Sequence, residues 1–249
     1  MVKAHEVTPE ESARTGFYVL RGFLDAATQD AFLAEALHLA EVAPFLYPTM
    51  RDGRPLSVKV SSFGERGWWA DGEGYRYIER HPSGVAFPPI PEVIRDKAEM
   101  ALVTAASASS RLRVGWRFSP WGIRSIEEHA QEVDTCLVNL YAHDAVLGWH
   151  VDQTERDRTS PIVTFSIGAA CTFTLRMEVG GEMRTFRHRL NSGDAVVMAG
   201  PSRLAEHSVA DVRDDPQAGL FGGSYNPVQK FYPDCRLSFT VRRTGLAPA

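Results

Sequence analysis

The feature of the sequence that most constrains the fold is a succession of short β-type segments after Thr135. Seven segments are rich in β-branched and aromatic residues and are separated by Gly, Asp, Asn and Pro: TCLVNLYA, PIVTFSIG, CTFTLRM, RTFRHRL, DAVVMAG, HSVADV and RLSFTVRR. Many short strands with such breaks are typical of a β-sandwich or a jelly roll. The second half of the chain is therefore predicted to be β throughout.

Two helices are predicted ahead of these strands. The segment ATQDAFLAEALHLAE is ended by Pro44 and Pro48. It carries one apolar stripe, formed by Phe32, Leu33, Ala36, Leu37 and Ala40. The segment PEVIRDKAEMALVTAAS begins at Pro91, and proline favours the first helical position. Together with a short strand, FYVLR, these elements predict an α+β, mainly β fold in which two helices pack outside a jelly roll.

Residues 51–90 differ from both of these regions. The segment GERGWWADGEGYRYIERHPSG is rich in Gly and aromatic residues and has no sustained periodicity, which predicts an irregular, hairpin-like region suited to binding. A length of 249 residues suits one large domain. We therefore expect a single domain, 1–249, with these parts: an N-terminal strand and helix, 17–50; the irregular region, 51–90; a supporting helix, 91–108; and the β core, 135–244.

Composition excludes some classes of protein. The longest apolar runs, such as CLVNLYA, are too short to cross a bilayer, and the N-terminal residues contain no apolar core of a signal peptide. The three cysteines (Cys136, Cys171 and Cys235) show no CxxC spacing, which favours buried thiols in a reducing compartment. We expect a cytoplasmic protein that does not bind membranes. A net charge of −4 means that any nucleic-acid binding would need a local basic patch.

The stretch LGWHVDQTERD contains His150 and Asp152, separated by one residue. In an extended chain, side chains two residues apart point to the same face. With 8 histidines and 31 carboxylates in 249 residues, about one such pair is expected by chance. The pair alone is therefore compatible with a metal site and also with two polar residues that share a strand face.

A third ligand would resolve this ambiguity. A His-x-Asp pair on a strand and one distant histidine form the 2-His-1-carboxylate site of non-haem iron, which leaves positions open for a cosubstrate and O₂. His207 is the best candidate, because it follows the turn MAGPSR near the start of another strand. His188 lies between two arginines and His129 lies in a charged segment, so both are weaker candidates. Alone, His207 is also compatible with a strand-end histidine of no special role.

The last predicted strand, RLSFTVRR, alternates between apolar and polar residues. One face carries Leu237, Phe239 and Val241, and the other carries Arg236, Ser238, Thr240 and Arg242. The two arginines lie six residues apart, which is about 20 Å of strand. Guanidinium groups bind carboxylates through paired hydrogen bonds, so this face could hold a dicarboxylic acid such as 2-oxoglutarate at both ends. An edge strand with solvated arginines is the alternative.

With these motifs, the chain resembles the AlkB-type Fe(II)/2-oxoglutarate dioxygenases, which repair alkylated nucleic acid. The similarity runs from about Ser57 to Arg243. It rests on three stretches in a fixed order: CLVNLYAHDAVLGWHVDQTERDRTSPIVTFSIG, SGDAVVMAGPSRLAEH and DCRLSFTVR. The resemblance implies a double-stranded β-helix as the core of the fold.

The resemblance also implies roles for individual residues. It implies that Fe(II) is bound by His150, Asp152 and His207, and that 2-oxoglutarate is bound by Asn139, Tyr141, Arg236, Ser238 and Arg242. O₂ would be the second cosubstrate. The irregular region resembles a nucleotide-recognition lid, in which Trp68, Tyr75 and Tyr77 match aromatic residues that contact an extruded base. Without the resemblance, these aromatic residues would be read as packing residues.

The chain departs from the family pattern at several places. Thr154 replaces an acidic residue near the substrate base, and Ser238 replaces another polar residue of the last strand. A Gly/Pro-rich stretch, DDPQAGLFGGSYNPVQKFYP, is added after His207, and EVGGEMRT shows no clear match to the basic hairpin of the family archetype. These departures put the base preference in doubt.

The function implied by the resemblance is oxidative demethylation of DNA bases of the 1-methyladenine and 3-methylcytosine type. The reaction is coupled to decarboxylation of 2-oxoglutarate to succinate and releases formaldehyde. Its partner would be alkylated DNA, single-stranded or with a flipped base, and we expect a monomer. One alternative is the same chemistry on RNA, tRNA or a protein side chain, for which Thr154 and the modest charge leave room. The other is a jelly-roll binding module without turnover, for which the complete set of ligands and arginines would have no use.

Overall fold

The computed structural model describes residues 4–108, 133–213 and 234–247. Within these residues there are three α-helices: α1 (Pro9–Thr15), α2 (Ala26–Val42) and α3 (Glu92–Ser107). The first six strands are β1 (Phe17–Leu20), β2 (Lys59–Gly64), β3 (Gly67–Asp71), β4 (Gly74–Ile78), β5 (Thr135–Tyr141) and β6 (Leu147–His150). The remaining strands are β7 (Ile162–Gly168), β8 (Ala170–Val179), β9 (Glu182–Leu190), β10 (Ala195–Met198), β11 (Glu206–Arg213) and β12 (Arg236–Arg242).

Two antiparallel sheets form the jelly roll. The larger sheet has six strands in the order β1-β10-β7-β12-β5-β2, and the smaller has four in the order β6-β11-β8-β9. Strands β3 and β4 form a separate two-stranded hairpin. Because β12 lies between β7 and β5, both of its edges are paired and its register is fixed from either side.

The apolar and polar residues that alternate along β12 face two different environments. Leu237, Phe239 and Val241 belong to the apolar cluster between the large sheet and helices α2 and α3, where Phe239 packs edge-on against Phe32 with ring centroids 5.0 Å apart. A second apolar cluster lies between the two sheets and includes Phe17. The polar residues of β12 point to the space between the sheets, which positions them for binding.

The structure confirms the mainly β jelly roll with helices outside it. It corrects the prediction for residues 51–90 in one respect. Strand β2, inside this range, pairs with β5 as the edge strand of the large sheet, so only β3, β4 and their flanking turns project as a hairpin. Helix α1 was not predicted.

Two features singled out in the sequence are not among those that the structure describes. His129 and the added stretch after His207, residues 214–233, lie outside the described residues. Among the helices that the structure describes, none is long and apolar enough to cross a membrane.

Candidate active site

Three of the sequence-predicted side chains converge at the edge of the small sheet. His150, at the end of β6, is the direct register partner of His207 on β11. Asp152 follows two residues after His150, in the loop that leaves β6. The ring centroids of the two histidines are 4.2 Å apart, and His207 Nε2 lies 3.8 Å from Asp152 Oδ2. The candidate ligand atoms of the three residues, one from each, all lie within 4.8 Å of one another, which is close enough to bind a single metal ion.

Backbone contacts fix the tautomer of both imidazoles. His150 Nδ1 donates to the carbonyl oxygen of Gly148 at 2.8 Å, and His207 Nδ1 donates to that of Ala205 at 3.1 Å. Because Nδ1 carries the proton in each ring, Nε2 carries the lone pair that binds a metal. Burial lowers the pKa of His207 to about 4, so this imidazole is neutral at pH 7. Both histidines are therefore prepared for coordination.

Asp152 is held in its charged form. Burial raises the pKa of this carboxyl, but the nearby cationic groups, Arg242 foremost, outweigh burial and hold the pKa well below its usual range. Arg242 Nη2 donates to Asp152 Oδ2 at 3.1 Å. Two imidazoles and one carboxylate on the same side of a cavity are the donor set of the non-haem iron site, so these residues fit Fe(II).

The metal-binding group opens onto a cavity of about 380 Å³ between the two sheets. Its walls include the polar face of β12, with Arg236 and Arg242 at opposite ends of the strand. Both side chains are buried, with exposed fractions of 1% and 4%. Among the described residues, Arg236 Nε and Nη1 and Arg242 Nε have no hydrogen-bond partner. Buried guanidinium groups with free donors need an anion, so the cavity fits an acid with two carboxylates.

The other predicted cosubstrate residues lie beside Arg236. Asn139 Nδ2 donates to the hydroxyl of Tyr141 at 3.4 Å, and Ser238 is the register partner of Asn139 across β12 and β5. The Arg236 guanidinium lies 5.0 Å from the centre of the Tyr141 ring, and its Nη2 donates to Ser166 at 3.0 Å. All five predicted residues, Arg242 included, line the cavity.

The β3–β4 hairpin covers the opposite side of the cavity. Trp68 and Tyr75 stack with ring centroids 5.7 Å apart, and both line the cavity. Trp68 Nε1 donates to Thr154 Oγ1 at 3.3 Å, which joins the hairpin to the loop that carries Asp152. The position of Tyr77 differs from those of Trp68 and Tyr75. It does not line the cavity, and its hydroxyl donates to Glu155 at 2.6 Å.

Two residues of this site were missed in the sequence. Glu155 is fully buried, and Arg203, on the 3₁₀ helix Gly200–Leu204, is 2% exposed. The two form an ion pair with Nη2 of Arg203 3.3 Å from Oε2 of Glu155. The polar run QTERD after Asp152 was the only signal for Glu155, and such runs usually lie in solvent.

A jelly roll with this metal-binding group and two buried arginines defines the class of Fe(II)- and 2-oxoglutarate-dependent oxygenases. Residues 16–242 match the family model described as the 2OG-Fe(II) oxygenase superfamily. The chain belongs to this superfamily and, within it, to the AlkB-type dioxygenases. It is therefore an Fe(II)- and 2-oxoglutarate-dependent dioxygenase that uses O₂.

Individual relatives support this assignment. The chain is 32% identical over 236 residues to the alpha-ketoglutarate-dependent dioxygenase AlkB homolog of Caulobacter vibrioides, which covers 93% of this chain and 89% of the relative. It is 27% identical over 240 residues to AlkB of Escherichia coli, with 95% and 94% covered. The solved structure of OsALKBH1 superposes with a TM-score of 0.69 at 25% identity and covers 92% of this chain and 97% of that structure.

Two other relatives carry names that state a substrate. One from Arabidopsis thaliana, 30% identical over 226 residues (86% of this chain and 47% of the relative), is named a DNA N(6)-methyladenine demethylase. One from Schizosaccharomyces pombe, 26% identical over 160 residues (64% of this chain and 46% of the relative), is named a tRNA demethylase. The family around this chain thus includes relatives named for DNA and for tRNA.

Proposed function

We propose that this enzyme removes methyl groups from alkylated bases in DNA, with 1-methyladenine and 3-methylcytosine as representative substrates. The observation that carries the proposal is the position of the stacked pair Trp68–Tyr75 on the cavity into which His150, Asp152 and His207 open. An unpaired base can stack on an aromatic ring, whatever its sequence context. A base held there lies in the same cavity as the metal-binding group.

The reaction is oxidation of an N-methyl group. Fe(II) and 2-oxoglutarate, when bound, supply the insertion of one oxygen atom of O₂ into a C–H bond, while the other oxygen atom enters succinate and CO₂ is released. The N–CH₃ group becomes N–CH₂OH, which breaks at the C–N bond. The products are formaldehyde and the base with its N–H restored.

The chain binds and orients the reactants. In this proposal Arg236 pairs with the distal carboxylate of 2-oxoglutarate and Arg242 lies near the carboxylate that binds the metal, because both residues line the cavity and have donors without a partner among the described residues. Asn139, Tyr141 and Ser238 supply further hydrogen bonds at the Arg236 end. Burial raises the pKa of Tyr141, so its hydroxyl stays protonated and can donate.

The substrate must be unpaired to enter this cavity. A single strand, or a duplex with a flipped base, satisfies this requirement, and lesions that block pairing lower the cost of flipping. Thr154 accepts a hydrogen bond from Trp68 and lines the cavity, which supports a role for it at the edge of the base. We further expect a monomer that works in the cytoplasm, where the free thiols of Cys136, Cys171 and Cys235 would stay reduced.

RNA is the second candidate substrate. Two observations support RNA as a substrate. One relative is named a tRNA demethylase, and the neutral Thr154 lies beside Trp68. A protein side chain is a weaker alternative, since the stacked aromatic pair suits a planar base. A binding module without turnover is not supported, because the metal-binding group is complete and the chain matches dioxygenases.

A matched panel of oligonucleotides tests the proposal. DNA and RNA of one sequence, each with a single 1-methyladenine, 3-methylcytosine or N6-methyladenine, are incubated with enzyme, Fe(II), 2-oxoglutarate and O₂. We expect formaldehyde and succinate in equal amounts from methylated DNA, and neither product with His150→Ala. Preference for the RNA series would assign the second candidate. If succinate formed without formaldehyde on every oligonucleotide, the proposal of a nucleic-acid substrate would be wrong.

A further inference from the structure

A buried carboxylate lies next to the site, outside the residues that line the cavity, and has no role in the reaction described above. Glu155 follows Asp152 by three residues, and its side chain is fully buried. Burying a charge is costly unless other groups compensate for it. Three donors do so here: Tyr77 Oη at 2.6 Å, Arg242 Nη1 at 2.6 Å and Arg203 Nη2 at 3.3 Å.

Each of the three donors belongs to a different part of the site. Tyr77 lies on β4, in the hairpin that carries the stacked aromatic pair. Arg242 lies at the end of β12 and also donates to Asp152 Oδ2. Arg203 precedes His207 and donates to the backbone carbonyl of Asp152 at 2.7 Å. Glu155 is thus the one carboxylate among the described residues that contacts the hairpin, the cosubstrate end of β12 and the segment before His207.

The charges of the group are fixed by its surroundings. Burial raises the pKa of Glu155, but the charge of Arg242 and the hydrogen bonds from Tyr77 and Arg242 together outweigh burial and hold the pKa below its usual value, so Glu155 is a carboxylate at pH 7. Burial raises the pKa of the Tyr77 hydroxyl well above its usual value, so this group stays protonated and donates. The contact between Tyr77 and Glu155 is therefore a charge-assisted hydrogen bond.

Arg242 has a constrained position between two anions. Its Nη1 is held by Glu155 and its Nη2 by Asp152, while Nε has no partner among the described residues. If the charge of Glu155 were removed, Asp152 would be the remaining anion beside Arg242, and the guanidinium would be free to turn toward it. This rotation would move Nε, the donor proposed to serve 2-oxoglutarate, and the guanidinium would compete with the metal for Asp152.

We propose that Glu155 is a positioning residue that couples the β3–β4 hairpin to the 2-oxoglutarate site through Tyr77 and Arg242. The hairpin and the cosubstrate are then linked, because one carboxylate orients both. Tyr77 should influence 2-oxoglutarate binding although it does not line the cavity. This inference rests on the proposed function only for the hairpin's role in holding a base. The part of the inference that concerns 2-oxoglutarate binding depends only on the enzyme class.

A purely structural role for Glu155 predicts a different result. In that case, losing the charge would lower stability and leave the bound cosubstrate unaffected. Glu11 provides a matched control, because it is also a buried glutamate, and it forms an ion pair with Arg184 at 2.9 Å and a hydrogen bond with His5 at 3.0 Å. Neither Arg184 nor His5 lines the cavity, whereas Arg242, a partner of Glu155, does. Glu11→Gln removes a comparable charge away from the site.

The experiment measures binding without turnover or nucleic acid. Enzyme loaded with Mn(II) in place of Fe(II) is titrated with 2-oxoglutarate by calorimetry, and Tm is measured for the same samples. We expect Glu155→Gln to weaken 2-oxoglutarate binding by about tenfold or more, in the range seen when outer-shell partners of metal sites are changed. Tyr77→Phe, which keeps the ring, should weaken it at least about threefold, and Glu11→Gln should not change it.

The double variant tests the coupling itself. If Tyr77 acts through Glu155, Tyr77→Phe adds little further weakening to Glu155→Gln, because interacting residues are not additive. Unchanged 2-oxoglutarate affinity in Tyr77→Phe overturns the proposal, and this variant remains informative even if Glu155→Gln does not fold. A lack of demethylase activity on oligonucleotides would refute the proposed function and leave these binding results standing.

Discussion

The predicted metal and cosubstrate residues are positioned differently from the aromatic residues of the hairpin. His150 and His207 are register partners in the four-stranded sheet, and Arg236 and Arg242 lie on a strand paired along both edges. Trp68 and Tyr75 lie on a sheet of only two strands. The backbone ladder therefore fixes the first group, whereas a few side-chain contacts fix the second.

Burial follows the same division. Arg236 and Arg242 are almost completely buried, whereas 60% of Tyr75 is exposed. Isolated two-stranded hairpins are marginally stable, so the contacts of Trp68 with Thr154 and of Tyr77 with Glu155 matter for its position. The chemistry is thus built on the rigid part of the molecule, and the proposed contact with the substrate on a part that can adjust. Four predictions test this division.

The largest effect is expected for His150→Ala. Removing one of the three ligands should abolish iron binding and turnover, while the partly exposed position of His150 leaves folding intact. Iron content after dialysis and Tm would be measured together. Full iron occupancy in the variant would show that the ligands are not these three residues.

Phe239→Ala tests how much the fold depends on β12. Phe239 is fully buried and packs against Phe32, so truncation should cost about 3–5 kcal/mol of unfolding free energy. Tyr75→Ala, on the hairpin, should change it by no more than about 0.5 kcal/mol. Equal losses in urea denaturation would contradict the distinction between the two regions.

Arg236→Gln should affect the cosubstrate selectively. Loss of a charge-assisted contact costs about 1.5–3 kcal/mol, so the KM for 2-oxoglutarate should rise roughly 10- to 150-fold. The KM for the oligonucleotide should stay the same, because it is Arg242, at the other end of β12, that is linked to the hairpin through Glu155. Steady-state kinetics with each substrate varied in turn would measure this. An equal rise in both KM values would argue against separate subsites.

Trp68→Ala should have the opposite selectivity and a smaller effect. Stacking of a base on an aromatic ring contributes about 1–3 kcal/mol, so the KM for methylated DNA should rise about 5- to 150-fold. The affinity for 2-oxoglutarate should change less than in Tyr77→Phe, because Trp68 contacts Thr154 rather than Glu155. Unchanged oligonucleotide binding in a polarisation assay would remove the hairpin from substrate recognition.

The rigid region could be predicted from the sequence in some detail. The alternation of RLSFTVRR predicted a core face with Leu237 and Phe239 and a polar face with Arg236. In the structure the first two residues lie in an apolar cluster and Arg236 lines the cavity. The His150 and Asp152 pair was found because a period of two places both side chains on one face. Such patterns are local, so a single sequence is enough to show them.

Other features depend on contacts that are distant in sequence. The partners of Glu155 lie 78 residues before it and 48 and 87 residues after it, so no local pattern marks it as buried. The pairing of β2 with β5 likewise joins segments separated by a helix. Helix α1 is different, because its capping box of Thr8 and Glu11 is a local signal that was overlooked.

The paired position of β12 has a consequence for the choice of cosubstrate. The backbone of β12 cannot shift along its neighbours without breaking ladder hydrogen bonds on both sides, so the spacing of the two arginines, and of the two proposed anion sites, is set by a count of residues. A keto acid one carbon shorter or longer than 2-oxoglutarate would reach one end and leave the other short or compressed. In the proposed binding mode, the spacing of two residues on a single strand therefore determines which chain length of keto acid is selected.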